Sequence, residues 1–411
     1  MTKSTGARPP RAGDPYGLGP VGSWLAPVLS IVGLVLVGVL TVSLLTGNLP
    51  FGIGKGGSSN GNGNGNGNDP GRSAAPSNVV IVPPEAKFDG SIIYAKAGNI
   101  WIQTADGAKQ VTNSHHDSMP SWSADGQWIY FIRTRSEKGR WLDHGVPNQY
   151  ALDIPSIMRA HADGSGEEQL KDGGIKQGNL SYAYWLRQPV VSPDGSTVAV
   201  MSDAPNPDNS TVVLQFLDTA TGKLRSANMP TNGVLGHQDP DWRPDGKYLL
   251  YVQNGRDGTR GAPVIMRYTE ATGRARALTG FGYLNPAYSR DGKYIAATKT
   301  SAFGTDVVIL DGSTGQELLR VTDDGSSWAP TWSPKGDGIA FLHLDGQTVD
   351  LRLARLDGAA PGWTVKETID LTEVSDLGPE SRPDWFIPAD QLPALPASPS
   401  EAPAASGSAS P

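Results

Sequence analysis

Twelve residues, spread over much of the chain, each stand a few places ahead of a recurring proline. They are His115, His116 and Asp117; Trp185 and Arg187; His237 and Asp239; Tyr283 and Asn285; Trp328; and Glu380 and Arg382. Imidazoles together with carboxylates suit a divalent metal. Arg187 and Arg382 suit the carboxylates of a peptide or an anionic sugar. Three of the six histidines fall in this set. The plainer alternative is a solvated rim held by local hydrogen bonds. Any shared chemistry requires a fold that gathers these residues from distant sequence.

The prolines open a repeat. Pro120-Ser121-Trp122-Ser123-Ala124-Asp125-Gly126 precedes Trp128-Ile129-Tyr130-Phe131. The pattern returns at Pro189 through Gly195, Pro240 through Gly246 and Pro286 through Gly292, and at Pro330 through Gly336 with Lys335 in place of Asp. Asp-Gly between β-rich runs signals a tight hairpin, because Gly accepts positive φ without steric cost. Proline is expected at the first residue of each strand, where its missing N–H is tolerated. Successive prolines are 44 to 53 residues apart, except for 69 between Pro120 and Pro189. That period predicts one four-stranded sheet per copy, arranged as a propeller.

A sixth copy is split. Asp89-Gly90-Ser91-Ile92-Ile93-Tyr94 supplies its back half and Pro383-Asp384-Trp385-Phe386 its front half. Only a ring explains this, because the last strand then completes the first sheet and removes a free edge. The fold class is all-β: a six-bladed β-propeller with split-blade closure over residues 85–388. The first strand of each blade is innermost, so the twelve residues above converge at one mouth of the central channel.

These repeats resemble those of TolB-type (WD-like) β-propellers and of the propeller domains of prolyl oligopeptidase- and dipeptidyl peptidase IV-like proteins. The resemblance covers about residues 85 to 388. It implies a bacterial envelope setting. TolB-like proteins carry an α/β domain ahead of the propeller; here an apolar run and a Gly/Asn stretch stand in that place.

Residues 1–22 read as a short cytoplasmic segment in which Lys3, Arg8 and Arg11 outweigh Asp14. Residues 23–46 are expected to form one transmembrane α-helix, since the uncharged run from Trp24 to Thr46 would extend roughly 34 Å against a hydrocarbon core of ~30 Å. The run is longer than the ~7–15 apolar residues of a signal peptide, which favours an uncleaved signal-anchor. The flanking positive charges place the N-terminus inside, so the propeller is extracytoplasmic and the chain is a single-pass protein of the cell membrane. Residues 47–84, with alternating Gly and Asn from Asn60 to Asn68, are expected to be a disordered linker. Residues 389–411, rich in Pro, Ala and Ser, are expected to be a disordered tail.

The motif aromatics Trp122, Trp242, Tyr288, Trp332 and Trp385 are read as wedges between sheets, and the motif Asp residues as turn formers. The extra residues between Pro120 and Pro189, about Thr134 to Pro155, are read as a loop on one face of the ring, able to contact a partner. A net charge of −7 offers no basic footprint for nucleic acid. With no cysteine there is no disulfide and no thiolate site. No Walker motif, H-E-x-x-H or EF-hand loop is present. The reading is therefore a protein- or ligand-binding module of the cell envelope, without catalysis, cofactor or assigned metal ligand. Its partner would be an envelope protein, a peptide or a polysaccharide. The alternative is a metal-dependent propeller lyase or hydrolase acting through His115, His116 and His237.

Overall fold

The computed structural model describes residues 74–143, 145–205, 211–229, 236–254 and 263–395. The expected anchor, 23–46, and the Gly/Asn core of the linker lie outside them. Among the described residues no helix is long and apolar enough to cross a membrane.

Six antiparallel sheets form the fold. We number the blades along the chain from the split one. Blade 1 runs from Asp384–Phe386 innermost through Ser91–Lys96 and Asn99–Thr104 to Gly107–Gln110 outermost. The inner strands of blades 2 to 6 are Asp117–Trp122, Leu186–Val191, His237–Trp242, Tyr283–Tyr288 and Ser327–Trp332. Closure is as the sequence requires: Ile92 pairs with Trp385 and Ile93 with Asp384.

The core confirms the ring. Buried apolar residues fall into six clusters, and each cluster joins two neighbouring blades. Six sheets with six filled seams leave no open gap. The seam between blades 6 and 1 holds Trp385, Ile92 and Tyr94 against Leu342 and Leu351. The motif aromatics are the wedges: Trp242 packs beside Phe216 of blade 3, with ring centroids 5.8 Å apart. Burying a large side chain in such a seam contributes roughly 2–3 kcal/mol.

The Ser-x-Asp-Gly turns are locked locally. Ser123 Oγ donates to Asp125 Oδ1 at 2.6 Å, and Ser192 to Asp194 at 2.6 Å. In the fifth copy, where Lys335 replaces Asp, Ser333 donates to Asp337 instead. Lys335 Nζ reaches Asp89 in the corresponding turn of blade 1 at 2.6 Å.

Four expectations need correction. The motif prolines of blades 2 to 6 lie inside the inner strands rather than at their first residue. The ladder slips around each one, as between Ser118 and Ser121, so the proline faces no partner that needs its N–H. The packed chain begins before residue 85: Ala75 N donates to Val374 O at 2.6 Å, Ile81 bridges to Glu373, and Ala86 is buried. It also continues past 388, with Leu392 packed on the core and Pro393 O accepting from Arg290. The 134–155 insertion is a β-hairpin, not a loop: Trp128–Asp143 and Val146–His161 pair along their length. A second hairpin, Gly174–Gln177 with Leu180–Ala183, braces it where Ser181 pairs with Arg140. The excess length is therefore shared between two hairpins.

Candidate functional site: the channel mouth

The mouth is built from the segments that enter the inner strands. The residue before each motif proline in blades 2 to 6 is left-handed: Met119 (φ 54), Gln188 (54), Asp239 (54), Asn285 (46) and Ala329 (52). This conformation costs a non-glycine residue roughly 1–2 kcal/mol. The bulge demands it, and hydrogen bonds between blades offset it.

Those bonds form a relay. Gln188 Nε2 donates to Asp239 Oδ1 at 2.6 Å, and Asp239 N returns a bond to Gln188 Oε1 at 2.8 Å. Asn285 N donates to Asp239 Oδ2 at 3.0 Å. Thr298 Oγ1 donates to Asn285 Oδ1 at 3.0 Å and accepts from Ala329 N at 2.9 Å. The relay thus links blades 3, 4, 5 and 6.

Below it, Arg382 reaches from the entry of blade 1 to the opposite side of the ring. Its Nη1 donates to Pro286 O, and its Nη2 to Pro240 O at 3.3 Å and Asp241 Oδ1 at 3.1 Å. Burial raises the Asp241 carboxyl to about 6, partly opposed by the Arg382 charge. Asp384 and Asp239 are also shifted upward by burial. The guanidinium thus ties the inner strands of blades 4 and 5 to the entry of blade 1.

Several expected mouth residues are therefore structural in their contacts. Asp117 is buried and chelates Arg133 at 2.7 and 2.9 Å. His237 is buried with its ring 4.4 Å from Tyr251, and its Nδ1 accepts from Leu214 N. Desolvation lowers its pKa to about 4, so it is neutral at pH 7. Asp239, Asn285 and Arg382 are engaged as described. Trp328 Nε1 donates to Pro379 O at 3.1 Å. Tyr283 donates to Glu317 at 3.3 Å.

The remaining residues face outward. His115 and His116 are exposed. Trp185 is 45% exposed, with the Arg187 guanidinium 5.8 Å from its ring. Arg187 Nη2 meets Glu380 Oε2 at 3.2 Å. His115 Nδ1 meets Asn99 Nδ2 at 3.2 Å, so the structure leaves Trp185, His116 and the Arg187–Glu380 pair at the surface and engages the rest. Among the described residues no three His, Asp or Glu side chains are grouped so as to hold a metal ion.

The same end of the ring carries apolar groups that the sequence reading passed over. Thr134 N donates to His116 O, so the long hairpin rises from this end, with Val146 at its tip. Thr300 N donates to Gly282 O, which sets exposed Phe281 beside the short hairpin that carries Phe303. Of eight exposed large hydrophobics among the described residues, Val146, Tyr150, Trp185, Phe281 and Phe303 lie at this end. The local signal was Gly280-Phe281-Gly282 and a phenylalanine at a hairpin tip, both out of place in an ordinary solvated turn.

Comparison with known proteins fits this architecture. No known protein family's profile matches the chain. An uncharacterized protein of Agrobacterium fabrum is 27% identical over 217 residues, covering 49% of this chain and 67% of that protein. An uncharacterized peptidase of Bacillus subtilis, YuxL, is 32% identical over 127 residues, or 30% of this chain and only 18% of the peptidase. The crystal structure of TolB from Acinetobacter baumannii superposes with a TM-score of 0.52 at 21% identity, covering 72% of this chain and 66% of TolB. The chain has the fold of a TolB-like six-bladed β-propeller.

Proposed function

We propose that the protein is a membrane-anchored, extracytoplasmic binding module whose channel mouth docks an envelope protein, peptide or polysaccharide without catalysing a reaction. The observation that carries the reading is the concentration of exposed apolar side chains at the mouth, beside the Trp185–Arg187–Glu380 group. Exposed aromatic and arginine side chains are the residue types that anchor interfaces. The buried acids and His237 are already bonded or desolvated, which suits a rigid frame better than a proton-transfer site. The apolar run 24–46 supports the anchor.

Affinity capture from an envelope extract, using the detergent-solubilised full chain, tests the docking. A partner retained by the wild type and lost with W185A and R187E together is the expected result. Equal retention by that double variant refutes the mouth as the binding surface. Protease digestion of intact cells tests the topology: the propeller is expected to be cut from outside, and full protection would reverse the assignment.

A further inference from the structure

Among the described residues, blade 4 carries a group of arginines that no acid balances. Its third strand, Val264–Thr269, pairs with its fourth, Arg274–Ala277, so that Arg267 faces Arg276 directly and Thr269 faces Arg274. All four side chains therefore share one face of the blade. Like charges opposite one another on a sheet are destabilising. The nearby acids are already used, since Glu270 pairs with Arg225 and Asp245 with Arg243. Among the described residues neither the Arg274 nor the Arg276 side chain has a hydrogen-bond or ion-pair partner.

The repeat supplies its own comparison. In blade 2, Arg159 occupies the position of Arg267: it lies 4.4 Å over Trp128, as Arg267 lies 5.1 Å over Tyr248. There the fourth strand presents Glu168 opposite Arg159, and the two bond at 2.6 Å. Blade 4 keeps the ring and the arginine and puts Arg276 where the acid stood. Arg267 Nη1 also donates to Gly312 O of blade 5 at 3.1 Å, which fixes its guanidinium at the seam between the two blades. The result is a groove of about 540 Å³, walled by Tyr248 and the three arginines, with the hydroxyl residues Thr269 and Thr272 at its edge.

We propose that this groove binds an oxyanion, a phosphoryl or carboxyl group of a small or polymeric ligand, between Arg267, Arg274 and Arg276. The anion takes the place that Glu168 fills in blade 2. Planar guanidinium forks match such groups in geometry as well as charge. The groove is at the end of the ring that bears the Ser-x-Asp-Gly turns, opposite the mouth, so this site stands or falls independently of the function proposed above.

The test uses the full chain in detergent, with calorimetric titration of inorganic phosphate and, separately, acetate at constant ionic strength. Saturable binding to the wild type, weakened at least about tenfold in R276E, is expected. R274Q is expected to weaken it less. Because R276E recreates the blade 2 pairing, its melting temperature in chloride should exceed that of the wild type, and added phosphate should no longer raise it. The stronger of the two anions identifies the group. Absence of saturable binding with both anions, or wild-type affinity in R276E and R274Q, overturns the proposal.

Discussion

Arg382 and Asp241 meet at 3.1 Å across the axis of the ring, on blades that face each other. The pair bonds the closing blade to the opposite side of the ring. Arg382→Ala would leave the Asp241 carboxylate buried without its cation, and would free the carbonyls of Pro240 and Pro286. Loss of one partner of such a pair costs about 3 kcal/mol. Urea unfolding of the variant should show that drop, with a spectrum of the folded state like that of the wild type.

Asp241 also sets a pH dependence. Its folded pKa, raised to about 6 chiefly by burial, lies above an unfolded value of about 3.9. The folded state therefore holds the proton more tightly. The stabilisation this provides is full below about pH 4 and is lost as pH rises through about 6. Asp241→Asn cannot titrate, so its stability relative to the wild type should rise between pH 4 and pH 7. Denaturant midpoints at both pH values check the sign. A difference that stays constant would show that Asp241 does not titrate in this window.

The closing blade depends on Trp385. The residue is buried, its Nε1 donates to Asp89 O at 2.8 Å, and Phe88 packs edge-on against it at 5.5 Å. Trp385→Ala should cost 3–5 kcal/mol, roughly the range for deleting a large aromatic from a core. Hydrogen exchange should locate the loss first in Ser91–Lys96, the strand it joins.

The long hairpin should be separable from the fold. On its second strand the residues from Val146 to Ala151 are exposed, and Arg140 pairs with Ser181 of the second hairpin. Replacing residues 138–151 by a two-residue turn should leave the melting temperature within a few degrees of the wild type. The same deletion should reduce partner capture if Val146 and Tyr150 belong to the docking surface.

At the mouth, Arg187→Glu sets two negative charges against each other where Arg187 met Glu380. Both side chains are partly exposed, so the cost in stability should stay under about 1 kcal/mol. Capture of the envelope partner should fall far more than stability does. A parallel loss of both would mean that the pair serves the fold.

The ring was legible in the sequence because its signals are local and repeated. Asp-Gly turns, motif aromatics and the split copy each follow from short-range chemistry, and Ile92 does pair with Trp385. The mouth was legible only as a neighbourhood. Which of its groups remain open depends on long-range partners such as Gln188 with Asp239, 51 residues apart, and Arg382 with Asp241, 141 apart. Nothing in the motif marks the left-handed residue ahead of each proline. A residue in that position ordinarily favours extended backbone, and only the slipped ladder imposes the other choice. The excess between Pro120 and Pro189 was visible as length alone; the second hairpin has its own short ladder, joined to the first by the Arg140–Ser181 pair.

The early docking of the amino-terminal strap has a mechanical consequence. A force applied at residue 74 is borne first by the Ala75–Val374 bond and the Ile81–Glu373 bridge, both to the segment that follows blade 6. The strand Ser91–Lys96 shares that load through one side chain, since Lys96 Nζ donates to Ala75 O at 3.4 Å and to Ser375 O. The strap thus spreads a pull from the amino-terminal side over the segment after blade 6 and the Lys96 side chain, ahead of the backbone ladder in which the two chain ends interlock.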